Sequence, residues 1–179
     1  YLEGQDMWKL SGIERSVNLI ARPKLSVYDF FVKAGLSDNY KNGVFNLSVT
    51  LNKSQAVKDF KQSLEVKIID EFSGETVFRK KTSFADSRYL QFNTIIKSVR
   101  SWNVENPNLY SLIINQLDSK GNVIESIGHK IGFRSVEIRH GLFLINGVAV
   151  KIKGTNRHEH DMYTAKVISR EGMINDIRM

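Results

Sequence analysis

Between Leu25 and Arg139 the chain is built from short apolar–polar alternations, most of them closed by a turn signal. Alternation at period two sends successive side chains to opposite faces of an extended strand, so one face can be buried and the other wetted. Val44–Leu51 is the clearest run, with Phe45, Leu47, Val49 and Leu51 on one face. Leu25–Val32, Leu64–Asp70, the return run opening at Thr76, Tyr89–Ile96, Tyr110–Leu117 and Val123–Phe133 read as strands too. Ser73-Gly74 and the polar segment Asp118–Asn122 supply turns. About seven strands in roughly 115 residues predict an antiparallel β-sandwich of immunoglobulin-like type. The chain has no cysteine, so no disulfide joins the two sheets. One helical turn is expected within Val57–Leu64.

The 179 residues are 41% hydrophobic, enough to bury a core. A charged fraction of 25% excludes global disorder. The formal charge of +7 raises the question of nucleic acid. Its distribution argues against that partner, because the densest basic run, Arg79-Lys80-Lys81, has only three members. No apolar run reaches the length of a membrane span, and no membrane partner is expected. The chain opens at Tyr1 without an initiator Met and ends within a helical pattern at Ile177-Arg178-Met179, as a piece cut from a longer protein would.

Ahead of the sandwich, Val17–Ile20 reads as a short strand, and Ala21-Arg22-Pro23-Lys24 as a boundary. Behind it, Asn146-Gly147 between two apolar runs is a strong hairpin signal, since both residues tolerate positive φ. Val148, Val150 and Ile152 then alternate as a strand, and Ser169 suits the N-cap of a helix carrying Glu171 in its first turn. Met173, Ile174 and Ile177 fall on one face of that helix. Strand, polar loop and helix in that order open a β/α unit, in which site residues sit on the loop after the strand.

That loop is Gly154-Thr155-Asn156-Arg157-His158-Glu159-His160-Asp161. Its chemistry is open to three readings: a metal site, a solvated loop, or a substrate-binding or catalytic loop. Histidines at i and i+2 on extended backbone face one side, but a metal needs a third ligand and usually a fourth. Glu159 could act as a general acid or base, but glycoside cleavage requires two opposed carboxyls, and no second one is placed by sequence. Glu3-Gly4-Gln5-Asp6-Met7-Trp8 is a second polar cluster. Trp102 and Tyr110 read as core residues of the sandwich rather than sugar platforms.

Four segments, in order, resemble glycoside hydrolase family 2, and within it the β-galactosidases. Tyr1–Ile13 is similar to the end of the family's sugar-binding jelly roll. Trp102 with Asn106-Pro107-Asn108-Leu109-Tyr110 is similar to its middle-domain signature. Gly132-Phe133-Arg134, Val136-Glu137 and Leu144-Ile145-Asn146-Gly147 resemble the passage into its catalytic barrel. Gly154–His160 resembles the first barrel strand and its loop, and Asn-Arg-His-Glu-His resembles β-galactosidases more than β-glucuronidases or β-mannosidases. Gly4, Glu14 and Met162 depart from the family pattern, which leaves fine substrate preference open.

The resemblance implies three pieces: 1–22 as the jelly-roll tail, 23–139 as the sandwich, and 140–179 as the truncated start of a TIM barrel. It implies a retaining hydrolase of terminal non-reducing β-D-galactosides, whose two catalytic glutamates lie outside this sequence, so the chain alone is expected to be inactive. Asp6 would contact galactose hydroxyls and a sodium ion, and His158 would contact the sugar and stabilise the transition state. Asn156, Arg157, Glu159 and His160 would shape the loop around His158. Magnesium and sodium are implied for the whole enzyme and no cofactor for this chain alone. The implied setting is a bacterial-type soluble homo-oligomer, cytoplasmic or periplasmic. The alternatives are a non-catalytic sandwich that binds carbohydrate or partners, or another activity of the same family. Because Asp6 and His158 are two contacts of a pocket that needs several, this chain alone is not expected to bind galactose or lactose.

Overall fold

The computed structural model describes residues 3–4, 7–9, 11–13, 15–37, 39–53, 62–84 and 87–179. Its described residues form two compact units, Arg22–Lys151 and a second assembled from Tyr1–Ala21 with Ile152–Met179. The second unit holds a two-stranded hairpin, β1 (Glu3–Gly4) and β2 (Met7–Trp8), and the helix α1 (Arg170–Arg178). The first unit holds β3 (Leu25–Leu36), β4 (Gly43–Lys53), β5 (Gln62–Asp70), β6 (Thr76–Phe84), β7 (Tyr89–Ile96), β8 (Tyr110–Leu117), β9 (Val123–Ile131), β10 (Val136–Arg139), β11 (Leu142–Ile145) and β12 (Val148–Ala149).

Seven of these strands make the sandwich. One sheet has the order β3-β4-β7 and the other β6-β5-β8-β9, all neighbours antiparallel. The immunoglobulin constant arrangement puts four strands in the first sheet and three in the second. Here β6 pairs with β5, so the split is reversed. The core lies between the sheets, because their alternations point inward at each other. Phe45, Leu47, Val49 and Leu51 of β4 face Leu64, Val66 and Ile68 of β5 and Tyr110, Leu112 and Ile114 of β8, all buried. Phe45 and Phe78 meet across the gap with ring centroids 5.7 Å apart.

A bulge in β3 sets which of its residues join that core. Val27 pairs with Leu51 and Asp29 with Thr50, leaving Tyr28 unpaired and exposed. One extra residue reverses the phase of a strand. Leu25 and Val27 point inward before the bulge, and Phe30, Val32 and Ala34 pack on the core after it. The freed Val27 N–H donates to Glu125 Oε2 of β9 at 3.0 Å, and Arg22 Nη2 donates to the Val27 carbonyl at 2.5 Å. Arg22 also donates to Glu125 Oε1 from Nε and Nη2, at 2.9 and 2.6 Å. One ion pair therefore ties the edge strands of the two sheets together.

The outer face of the four-stranded sheet buries a carboxylate. Glu65 accepts from Arg79 Nε at 2.7 Å, and Lys67 Nζ lies 2.9 Å from its Oε2. Asn115 Nδ2 is 3.4 Å from the same oxygen, and Asn115 Oδ1 accepts from Ser126 Oγ at 2.7 Å. A buried charge is tolerated only when it is paired and hydrogen-bonded in this way.

The sandwich reading of the sequence holds, and two local expectations do not. Val17–Ile20 forms no strand, and its apolar side chains are exposed. Extended backbone counts as a strand only with a neighbour to bond to. For the same reason the strand expected through Val150 and Ile152 stops at Ala149. Gln62–Leu64 belong to β5, and the rest of the expected helical turn lies outside the described residues. The helix is where the N-cap placed it: Ser169 Oγ accepts from Gly172 N at 3.0 Å. No helix among the described residues is long and apolar enough to cross a membrane.

Candidate functional site

The polar loop 154–161 follows β12 without regular structure up to Asp161, and residues 154–160 are all exposed. Its backbone is ordered by local side-chain bonds instead. Asp161 Oδ1 accepts the N–H groups of Tyr163 and Thr164, both at 2.8 Å, and Asp161 exchanges backbone bonds with Ala165 at 2.7 and 2.9 Å. These N–H donors hold the Asp161 carboxyl below its ordinary pKa, since they favour the charged form.

Two ion pairs fix the loop's flanks. Arg157 donates from Nε and Nη2 to Asp176 Oδ2 of α1, at 2.9 and 2.5 Å. Arg15 Nη2 donates to Glu159 Oε2 at 3.2 Å, with the two side chains 72% and 53% exposed. An exposed pair of that kind adds little stability. It does occupy Glu159, the residue that chemistry alone would suspect first as a catalyst. Between the pairs, the imidazoles of His158 and His160 stack with centroids 5.7 Å apart and planes 21° from parallel. Asn156 is exposed beside Arg157.

Asp6 lies outside the described residues. Arg15, in the same N-terminal segment, does reach the loop. Neither Arg15 nor Asp176 was marked by sequence as a partner of the loop, because the spacing of distant residues carries no signal of contact. Among the described residues no group of three or more His, Asp or Glu could hold a metal ion. His129 packs edge-on against Phe30 at 5.5 Å and His140 sits in the turn between β10 and β11.

The Trp102–Tyr110 signature turns out to be fold machinery. Tyr110 is buried at the start of β8, edge-on to Phe133 at 5.1 Å. The Trp102 backbone N–H donates to the Phe133 carbonyl at 2.8 Å, and the Trp102 ring lies where a side chain on Gly132 would be, 3.0 Å from such a Cβ. Arg134 covers the ring at 4.8 Å. Asn146 Nδ2 donates to the Trp102 carbonyl at 3.0 Å, and Asn146 Oδ1 accepts from Ser135 N at 2.9 Å. The Asn-Gly turn thus joins the sheet β10-β11-β12 to the sandwich. The compact unit that holds the sandwich runs on to Lys151.

The profile described as "Glycosyl hydrolases family 2" matches residues 25–134, and that of "Glycosyl hydrolases family 2, TIM barrel domain" matches 136–179. The chain belongs to glycosyl hydrolase family 2. Curated relatives include a β-galactosidase of Priestia megaterium, 36% identical over 181 residues, covering 99% of this chain and 18% of that protein. A β-galactosidase of Alteromonas mediterranea is 34% identical over 191 residues, covering 100% and 18%. This family 2 chain therefore spans under a fifth of the curated relatives it matches. Among solved structures, a Parabacteroides merdae β-glucuronidase superimposes with a TM-score of 0.73 at 23% identity, over 87% of this chain and 19% of that one. Bacteroides uniformis β-glucuronidase 3 gives 0.75 at 19% identity, over 92% and 20%. Likeness at that identity establishes the shared family 2 fold.

Proposed function

We propose that this chain is a segment of a retaining glycoside hydrolase that releases terminal non-reducing β-D-galactose. The observation that carries the reading is the 36% identity to a β-galactosidase across 99% of the chain, which includes the loop Asn156–His160. Retention of configuration requires two carboxyl groups roughly 5–5.5 Å apart across the scissile bond. In this reading both glutamates come from the rest of the barrel. This segment supplies the sandwich, the edge of the sugar pocket, and His158.

His158 would donate to a galactose hydroxyl, a bond that strengthens as charge develops on the ring. Arg157 would hold that loop against α1 through Asp176, and Glu159, Asn156 and His160 would set its shape. Asp6 would accept from galactose hydroxyls and offer a hard oxygen to sodium, the ligand type that such a cation prefers. No residue described here is assigned to magnesium. The intact protein would work as a soluble homo-oligomer.

The test is to express the complete reading frame and compare 4-nitrophenyl β-D-galactoside with the β-D-glucuronide. Preferential turnover of the galactoside is expected, with His158→Ala lowering kcat by about 100-fold or more, the order of a lost transition-state donor. Preference for the glucuronide, or no effect of His158→Ala, overturns the reading. The 179-residue chain alone should show no turnover of either substrate.

A further inference from the structure

The outer face of the three-stranded sheet has a chemistry that the hydrolase reading does not use. Strand register aligns Phe31 with Ser48 and Gln91 in one row, and Lys33 with Asn46 and Asn93 in the next. Tyr89 closes the adjoining row on β7. Beneath these side chains is a shallow hollow of about 330 Å³. Phe31 and Tyr89 stand at opposite edges of it, 61% and 54% exposed. Gln91 Nε2 donates to the Tyr89 hydroxyl at 3.0 Å, and Lys33 Nζ lies 5.6 Å from the centre of the Phe31 ring.

No aliphatic side chain lies on this face between the two rings. Such a surface is too polar for a protein partner's apolar anchor, which needs a contiguous apolar patch. Among the residues lining the hollow only Lys33 is charged, and its ammonium lies over the Phe31 ring, so most of the polar contacts on offer are neutral. What it does offer is two aromatic platforms and three amides between them. A pyranose has apolar C–H faces that lie against an aromatic ring, and a rim of hydroxyls that both donate and accept. Amides do the same, so one Asn or Gln can bridge neighbouring hydroxyls. The hollow is at the small end of ligand sites, suited to one or two sugar units with the chain continuing along the sheet.

We propose that this face, centred on Phe31, Asn46, Tyr89, Gln91 and Asn93, binds a neutral oligosaccharide. The inference rests on the face itself and not on which glycoside the whole enzyme cleaves. The test is a ¹⁵N NMR titration of the 179-residue chain with β-1,4-linked galactotetraose, and with tetragalacturonate as a charged probe of equal length. The expected result is saturable shifts confined to β3, β4 and β7, weakened about tenfold by Tyr89→Ala and retained in Tyr89→Phe, as loss of a stacking ring predicts. Asn93→Ala should weaken binding as well, and tetragalacturonate should bind at least tenfold more weakly. Both positions are exposed, and an unchanged melting temperature shows that the variants are folded. Absence of saturable binding, shifts that map elsewhere, indifference to Tyr89→Ala, or equal binding of tetragalacturonate each overturns the proposal. The hydrolase reading is judged on turnover by the complete enzyme, so either can fail alone.

Discussion

The phenolic oxygen of Tyr110 accepts the backbone N–H of Arg100 at 2.8 Å, ten residues upstream. This is the tyrosine corner of immunoglobulin-like folds, with the Tyr at the start of the strand after the crossover between sheets. Arg100 then turns its guanidinium back onto Asp70 at the end of β5, with Nε 3.1 Å from Oδ2 and Nη2 on Oδ1. Phe72 lies under the same guanidinium at 4.3 Å. The crossover from β7 to β8 is therefore pinned at two points that share one residue.

Tyr110→Phe should destabilise the sandwich while keeping its packing on Phe133. The ring stays, but the Arg100 N–H loses its acceptor. A part-buried donor left unpaired costs about 1–3 kcal/mol. Urea unfolding should show a lower midpoint at unchanged slope.

Acid should unfold this domain partly through Glu65. Lys67 first, and then Arg79 and Asn115, hold its carboxyl well down, from 4.5 to about 2, against an opposing effect of burial. A carboxyl lowered in the folded state contributes stability that is complete above its unfolded pKa and is lost as pH falls through the folded one. The loss should run from about pH 5 to about pH 2. Asp70, held low chiefly by Arg100, adds in the same direction. Urea unfolding across that range should be steeper in the parent chain than in Glu65→Gln. Equal pH slopes would show that Glu65 is not the responsible group.

Gly147→Ala should cost more than a left-handed residue alone. Its φ is +76°, a conformation that costs an L-residue about 1–2 kcal/mol. The added Cβ would also fall 2.8 Å from the Tyr40 ring, whose hydroxyl donates to Glu137 at 2.5 Å. Combining it with Tyr40→Ala should recover the steric part, which a double-mutant cycle of melting temperatures would read as favourable coupling.

Asp176→Asn should loosen the candidate loop without touching the sandwich. It removes the charge that accepts both Arg157 bonds. Amide exchange at residues 156–161 should quicken, while exchange in β4, β5 and β8 stays as it was. Unchanged exchange in the loop would mean that the ion pair does not order it.

The sequence by itself determined the sandwich. Alternation of period two is a local property, and where Phe45, Leu47, Val49 and Leu51 share a face, burial decides which way that face points. It also determined the Asn146-Gly147 turn, with φ of 52° and 76°, and the Ser169 cap, because each depends on neighbours a few residues away. The resemblance in its motifs named the family that the profiles then matched. Only the tertiary structure decided the rest. Whether Val17–Ile20 or Val150–Ile152 become strands depends on a neighbour's backbone, which alternation cannot supply. That Glu159 meets Arg15 across 144 residues, and Arg157 meets Asp176, is fixed by chain path and not by pattern. The grid of Phe31, Asn46, Tyr89, Gln91 and Asn93 exists only once register sets three strands side by side, because each strand alone reads as no more than its polar half.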